Sequence, residues 1–176
     1  MESSLLGVDD LHSKLPDGVR LLSWSSALVR DHAHVKYESF RNEIDANVFP
    51  CLARKDGCLQ LMKDLSRRKD FVAEATWLAV YRTASSEKWV PIGTIQGLRT
   101  DKSSGAIQNL GIIPAFRSLG LGSILLGKSL AGFALLGCLN VSLEVTVQNS
   151  AAIRLYERLG FRRVETVFKI AEVLVS

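Results

Sequence analysis

Apolar and polar residues recur along the chain with two different periods, and these periods predict strands and helices in turn. Residues 139–147 alternate strictly, which predicts a strand with one buried, apolar face. Residues 107–113 form a mostly apolar run that ends at Pro114, as expected of a buried central strand. Residues 123–136 are apolar over a helical length, and the glycines within them are expected to let this helix lie close to the sheet. The second half of the chain therefore predicts strand, helix and strand in that order.

The same periods place the remaining elements and predict an α/β protein. The further predicted strands are residues 19–24, 77–81 and 92–98, with one or two more in residues 162–175. The further predicted helices are residues 59–68, residues 151–159 and a helix that begins at Ser25 or Ser26 and ends near Phe40. A polar turn at residues 83–88 joins the strands at residues 77–81 and 92–98, which predicts an antiparallel hairpin. We expect residues 1–17 to be a loose polar arm and residues 18–176 to be a single domain.

The composition narrows the class of ligand. The chain has 176 residues, of which 47% are hydrophobic, and this is enough for one substantial core. Its formal charge of +4 is small and its basic residues are dispersed. This balance suits an anionic small molecule and speaks against nucleic acid as a partner.

Cysteine and histidine positions predict neither disulfides nor a metal site. Cys51, Cys58 and Cys138 form no CxxC pair and no even set, which favours reduced thiols in a cytoplasmic protein. His32 and His34 have no cysteine or carboxylate at ligand spacing, so we expect surface or partly packed histidines. The first residues include several acids, unlike a signal peptide, and no run is long and apolar enough to span a membrane.

The candidate chemistry centres on the turn between the apolar strand and the apolar helix. Arg117, Gly120 and Gly122 lie there. A glycine turn that opens a helix is typical of a phosphate site, because the first helical N–H groups and the helix dipole favour an anion. No Asp or Glu occurs between Asp101 and Glu144, so no carboxylate of that stretch would repel a pyrophosphate. A turn in which glycine serves only to reverse the chain explains the same residues, and this alternative stays open.

Two further patterns overlap this region. Residues 122–129 formally match the G-x-x-x-x-G-K-S pattern of the nucleotide-triphosphate P-loop, but that loop follows a strand directly, and here Pro114 intervenes. Gly111, inside the predicted central strand, marks either a bulge where a ligand approaches the backbone or a position of close packing.

A second motif follows the last clear strand, and together with the glycine turn it makes a family resemblance. Its residues have the spacing N-x-x-A-x-x-x-Y-x-x-x-G-F and are Asn149, Ala152, Tyr156, Gly160 and Phe161. With residues 117–122 in the form R-x-x-G-x-G, the segment from about residue 77 to 169 resembles the GNAT superfamily of acetyl-CoA-dependent N-acetyltransferases. The tripeptide LEV at residues 143–145 is most similar to the branch that acetylates protein N-termini. No substrate-recognition motif matches in the N-terminal half, which leaves the acceptor open.

The resemblance implies a fold and a reaction. The fold would be a single-domain GNAT fold, with a mixed, mostly antiparallel sheet of six to seven strands flanked by about four helices. The reaction would move an acetyl group from acetyl-CoA, without a metal, to a primary amine of a peptide N-terminus or a small molecule. The protein would be a monomer or a homodimer, with no membrane or nucleic-acid partner.

The resemblance also implies roles for individual residues. Glu144 would be the base and Tyr156 the acid, and the strand backbone at residues 110–112 would hold the acetyl and pantetheine arm. The implied acetyl-CoA contacts are Leu110, Gly111, Ile112, Arg117, Ser118, Leu119, Gly120, Leu121, Gly122, Ser123 and Asn149.

A structural alternative stays open for several of these residues. For Glu144 it is an ion pair with a neighbour such as Arg82 or Arg99, for Tyr156 a place in the core, and for Asn149 the cap of the following helix. For the whole protein, the first alternative is a non-enzymatic acyl-CoA sensor, and the second is a nucleotide-triphosphate-binding protein.

Overall fold

The computed structural model describes residues 1–4 and 14–166, and a six-stranded sheet organises them. The strands are β1 (Glu2–Ser4), β2 (Val19–Ser23), β3 (Phe71–Tyr81), β4 (Val90–Arg99), β5 (Ser104–Ile112) and β6 (Asn140–Leu143). They lie in the order β1-β6-β5-β4-β3-β2. The β5–β6 pair is parallel and every other pair is antiparallel. The predicted mixed, mostly antiparallel sheet is therefore confirmed.

Five α-helices flank the sheet within the described residues. They are α1 (Val29–Phe40), α2 (Asp45–Val48), α3 (Lys55–Arg67), α4 (Leu121–Leu135) and α5 (Ser150–Arg158). The single turn α2 escapes prediction because four residues are too few to show a helical period. In the described part of the chain, no helix is both long enough and apolar enough to cross a membrane.

Different helices cover the two faces of the sheet. Gly111, which pairs with Thr94 across β5 and β4, faces α1, because a Cβ at Gly111 would lie 2.9 Å from the Phe40 ring. On the opposite face, a Cβ at Gly97 would lie 2.7 Å from the ring of Phe133 on α4. Glycine at these positions thus lets one helix approach each face closely.

Helix α4 lies close to β3 because of one glycine. A Cβ at Gly132 would lie 2.1 Å from the backbone oxygen of Glu74, a separation that no side chain can adopt. The prediction that glycine lets this apolar helix lie against the sheet is confirmed at this position. One turn earlier, the buried Ser129 hydroxyl donates to the Ala75 carbonyl at 2.7 Å and fixes the helix along the strand.

The predicted strand over residues 139–147 is wrong in its length, because β6 ends at Leu143. β5 pairs with β6 only through residues 104–107 and 140–143. Beyond that point no strand within residues 1–4 and 14–166 pairs with the β6 backbone, so alternation alone does not keep it extended. Leu139 and Val147, expected on the buried face, are 50% and 54% exposed. The sheet therefore opens between β5 and β6.

The loose arm expected at the N-terminus is wrong for residues 1–4, because β1 is the edge strand beside β6. The Leu143 N–H donates to the Met1 carbonyl at 2.8 Å, and Glu2 bridges to Arg162. Three residues without alternation give no strand signal, so only pairing reveals this element. The division of the chain after residue 17 stays a prediction. The strands expected near the C-terminus fall, beyond residue 166, outside the described residues.

Candidate active site

A cavity of about 730 Å³ opens where β5 and β6 stop pairing. This volume falls within the range of about 300–1,000 Å³ that is typical of small-molecule sites. Four of the predicted site residues line the cavity: Leu110, Glu144, Asn149 and Tyr156. The wall built by α1 and the segment before α3 is apolar and includes Phe40, Phe49 and Leu52. The remaining predicted contacts, Gly111 and Ile112 in β5 and residues 117–123 of the glycine turn, lie outside this lining.

The glycine turn has the backbone that an anion site needs. Gly120 has a φ of 78° and caps α4, where no side chain bonds the helix start and no acidic residue occupies the first turn. Ser118 also has a positive φ, of 63°. The first N–H groups of a helix have no partner within it, so those of α4 point out of the turn. A Cβ at Gly120 would meet no atom within 4 Å, so the space beside the turn is open.

Two predicted turn residues also have packing roles. Helix α4 begins at Leu121, and this side chain is a core residue with 1% exposure, so only its backbone is available to a ligand. A Cβ at Gly122 would lie 3.1 Å from Leu155 of α5, so glycine here lets α5 pack beside the start of α4.

Arg117 ties the turn to α1. Its guanidinium forms a salt bridge of 2.6 Å with Glu43 and donates to the Ser39 carbonyl at 2.9 Å. Its Nε donates to the Ile112 carbonyl at 3.1 Å. Arg117 therefore braces the turn, and a contact of its side chain with acetyl-CoA stays a prediction.

The bulge inferred at Gly111 lies elsewhere. Gly111 pairs in register with Thr94, and the extra residue of β5 falls at Gln108–Asn109, opposite Gln96 alone. Gly111 thus has the close-packing role, against α1. Both bulge residues line the cavity, at the point where β5 leaves β6.

Asp45, which the sequence analysis misses, ties α2 to the segment between β6 and α5. Its carboxylate accepts from the Thr146 hydroxyl at 2.5 Å and from Asn149 Nδ2 at 3.3 Å. Asn149 Oδ1 in turn accepts from the Ala152 N–H at 3.2 Å, which confirms Asn149 as the cap of α5. Glu144 lies just beyond β6 and is exposed at the cavity. The cavity thus has carboxylates on two sides.

Tyr156 was expected either at the site or in the core, and the structure places it in both. It is a core side chain that also lines the cavity. It is 7% exposed, and its ring centroid lies 5.9 Å from that of Phe161. Burial, and then the nearby charge of Asp45, raise the pKa of the Tyr156 phenol to about 12. The hydroxyl therefore keeps its proton at neutral pH and can donate a hydrogen bond.

A buried polar network lies behind the bulge. Lys36 of α1 is fully buried, and its amine donates to Gln96 Oε1 and, at 2.6 Å, to Asn109 Oδ1. Gln96 Nε2 donates to the Thr94 hydroxyl at 2.5 Å, and Thr94 Oγ1 lies 2.7 Å from His32 Nδ1. Burial lowers the pKa of Lys36 to about 7 and that of His32 to about 3. The surface or partly packed position expected for His32 is wrong, whereas His34 is exposed.

The sequence held a signal for part of this network. Gln108 and Asn109 are adjacent polar residues inside an otherwise apolar strand, and such a break in pattern is typical of a bulge. Lys36 lies one helical turn after His32, so the two side chains share one face of α1. No local pattern marks Asp45, whose partners are about a hundred residues away.

The P-loop alternative is excluded by the position of its residues. Residues 122–129 lie inside α4, whereas a P-loop wraps phosphate with a non-helical glycine loop. Ser129, which would approach the metal of a bound nucleotide, is buried against β3.

Comparison with known proteins matches the chain to one family. The model of the family described as "Acetyltransferase (GNAT) family" matches residues 53–161. An N-alpha-acetyltransferase from Sulfurisphaera tokodaii is 32% identical over 98 residues. The aligned segment is 55% of this chain and 58% of that relative, so it spans little more than half the relative's length.

Solved structures share the fold. Ard1 from Thermoplasma volcanium superposes with a TM-score of 0.62 and 22% identity, over 84% of this chain and 85% of that one. The aminoglycoside N-acetyltransferase AAC(6')-Iy in complex with CoA superposes with a TM-score of 0.63 and 13% identity, over 89% and 97% of the two chains. At such identities the likeness shows the fold alone.

Proposed function

The chain belongs to the acetyltransferase (GNAT) family, and we propose that it transfers an acetyl group from acetyl-CoA to a primary amine. The observation that carries this proposal is a helix start with no side-chain cap and no acidic residue, packed against α5, which contributes a buried phenol to a cavity that also holds a carboxylate. The acceptor that we favour is a peptide N-terminus, because the matched relative is an N-alpha-acetyltransferase. A small-molecule amine is the alternative acceptor.

Acetyl-CoA is proposed to extend from the start of α4 along β5 to the cavity. The pyrophosphate would bind the free N–H groups at the start of α4, where the helix dipole favours negative charge. Residues 118–123 and Asn149 would lie nearest to the coenzyme, and Arg117 would hold the turn in place from α1. The pantetheine arm would follow the β5 backbone at residues 110–112, which brings the thioester to the opening between β5 and β6.

The amine must lose a proton before it attacks the thioester. At pH 7 this costs about 1.4 kcal/mol for an α-amine with a pKa near 8, and about 4.6 kcal/mol for a lysine with a pKa near 10.4. Glu144, exposed at the cavity, is the proposed base. It would take the proton directly or through a water.

Tyr156 is proposed to act on the leaving group. A thiol has a pKa of about 8.5, well below the value of about 12 to which burial raises the pKa of Tyr156. The departing thiolate is thus too weak a base to take the phenolic proton outright. Tyr156 would stabilise the thiolate sulfur by donating a hydrogen bond, and it would keep its proton while doing so.

A turnover screen tests the proposal. Release of free CoA from acetyl-CoA would be measured with peptides, amino acids, polyamines and aminoglycosides as acceptors. We expect turnover with peptides. Acetyl-CoA that binds but is not consumed with any amine would refute the enzyme and leave the acyl-CoA sensor.

A binding experiment tests the donor site separately. Gly120→Val should weaken acetyl-CoA binding, because a branched residue resists the φ of 78° and would enter the open space beside the turn. Lys128→Ala is the matched control, since Lys128 is exposed on α4 with its amine 5.9 Å from the Trp77 ring centroid. Loss of binding in Lys128→Ala with normal binding in Gly120→Val would refute this donor site.

A further inference from the structure

Lys36 fixes the orientation of two side-chain amides. A lysine amine has at least two N–H donors, whether it is charged or neutral. It donates to Gln96 Oε1 and to Asn109 Oδ1, so both amides present their oxygen to it. The nitrogen of Gln96 then points to Thr94 and donates to its hydroxyl. Thr94 Oγ1 lies 2.7 Å from His32 Nδ1, and Gln96 Nε2 lies 3.3 Å from the same nitrogen. One buried amine therefore sets the orientation of both amides.

The same constraint acts on Asn109 at the cavity wall. With Oδ1 held by Lys36, the Nδ2 group is the end of the amide that points away from the buried amine. Within residues 1–4 and 14–166, Nδ2 has no acceptor of its own, yet it is not among the buried polar atoms that lack a partner. It is thus accessible, and Asn109 lines the cavity. The bulge presents a fixed N–H donor where β5 leaves β6.

We propose that Asn109 is a substrate-binding residue whose Nδ2 donates to the carbonyl oxygen next to the acceptor's reactive amine, and that Lys36 is its positioning residue. This inference rests on the proposed function and narrows its acceptor class. A peptide N-terminus or an amino-acid amide has such a carbonyl, and a polyamine does not.

The position of Asn109 indicates that it contacts the acceptor amine's molecule rather than acetyl-CoA. Its bond to Lys36 places it on the face of the sheet that α1 covers, whereas the proposed pyrophosphate site is the start of α4, the helix that covers the other face. The cavity wall on the α1 side includes Phe40, Phe49 and Leu52. An apolar first side chain would fit against this wall while its carbonyl meets Asn109.

Two acceptors that share the leucine side chain test the proposal. Leucinamide has a carboxamide on the amine carbon, where 3-methylbutylamine has hydrogen. Because the carboxamide also lowers the pKa of the amine, each variant is compared with the wild type on the same acceptor. In Asn109→Leu, which is similar in size but lacks the amide, KM for leucinamide should rise roughly 5- to 10-fold, the value of one hydrogen bond. KM for 3-methylbutylamine should stay unchanged. Equal effects on both acceptors, or no effect on either, would overturn the role of Asn109.

Lys36→Met tests the positioning role. Methionine keeps a similar length and removes the donor, so the Asn109 amide loses its fixed orientation. The preference for leucinamide should fall, and KM for 3-methylbutylamine should stay constant. A purely structural lysine would change both acceptors alike, and that result would overturn the positioning role. A melting curve confirms folding, and Asn109→Leu carries the test if Lys36→Met does not fold.

The wild-type protein separates this inference from the proposed function. Turnover of both acceptors by the wild type, with KM for leucinamide unchanged in Asn109→Leu, would refute the role of Asn109 and leave the transferase intact. No turnover with any amine would refute the transferase and this inference together.

Discussion

The fully buried lysine gives a prediction about stability that does not depend on activity. Lys36 has no exposed surface, and its amine is held by the neutral oxygens of Gln96 and Asn109. Burial disfavours its charged form and lowers its pKa from 10.5 to about 7, although Cys58 and Cys51 act weakly in the opposite direction. Lys36→Met removes this titration and keeps the aliphatic stem.

Whether the free energy of unfolding rises or falls with pH depends on which state, folded or unfolded, holds the lysine proton. Between about pH 7 and pH 10.5 the unfolded chain keeps the lysine proton and the folded chain has released it. Unfolding therefore takes up a proton, and the free energy of unfolding rises with pH. The full difference, a pKa lowered by about 3.5, corresponds to roughly 5 kcal/mol. About 2 kcal/mol of it is recovered between pH 7 and pH 9.

The pH range in which Lys36 determines the change in stability ends at pH 9. Above it, the titration of other buried groups lowers the free energy of unfolding as the pH rises. Burial raises the pKa of Cys58 from 9.0 to about 11 and that of Tyr156 from 10.0 to about 12. Each contributes stability that is present below its unfolded pKa and is lost as the pH rises through the folded one. Below pH 9 both groups are mostly protonated in either state, so Lys36 dominates the change.

Urea unfolding of the wild type and of Lys36→Met at pH 7, 8 and 9 measures the effect. We expect the wild type to gain about 2 kcal/mol relative to Lys36→Met over this range, with m-values unchanged. Lys69→Met, at an exposed lysine, is the control and should follow the wild type. A difference between the wild type and Lys36→Met that is constant from pH 7 to pH 9 would refute the account of the buried amine.

Three further variants test the site and the fold. Glu144→Gln should lower kcat by roughly 10²- to 10⁴-fold, with the loss shrinking at high pH where the amine is already neutral; a loss independent of pH would indicate a structural role. Tyr156→Phe should lower kcat about 100-fold, because it removes the hydrogen bond to the thiolate sulfur, and should leave the melting temperature unchanged, because the ring contact with Phe161 remains; turnover at the wild-type rate would make Tyr156 only a packing residue. Gly132→Ala should destabilise the fold by roughly 1–3 kcal/mol, since its Cβ would lie 2.1 Å from the Glu74 oxygen; an unchanged melting temperature would contradict the close approach of α4 to β3.

The sequence by itself determined the features that depend on neighbours within a few residues. The helix after the glycine turn and the cap of α5 by Asn149 both depend on contacts three or four positions apart. The motifs around these positions were sufficient for the family, and apolar runs bounded by turn residues were sufficient to locate β2 to β5. Local propensity and helical period are properties of the printed order alone.

The tertiary structure alone decided where pairing stops and what is buried. Alternation continues past Leu143, but β6 ends there because the β5 backbone no longer runs beside it. The sequence around Arg117 does not predict its salt bridge with Glu43, which lies 74 residues away. Lys36 is buried because Gln96 and Asn109, 60 and 73 residues distant, meet its amine. Pairing and burial depend on which distant segments come together, and a local pattern does not contain that information.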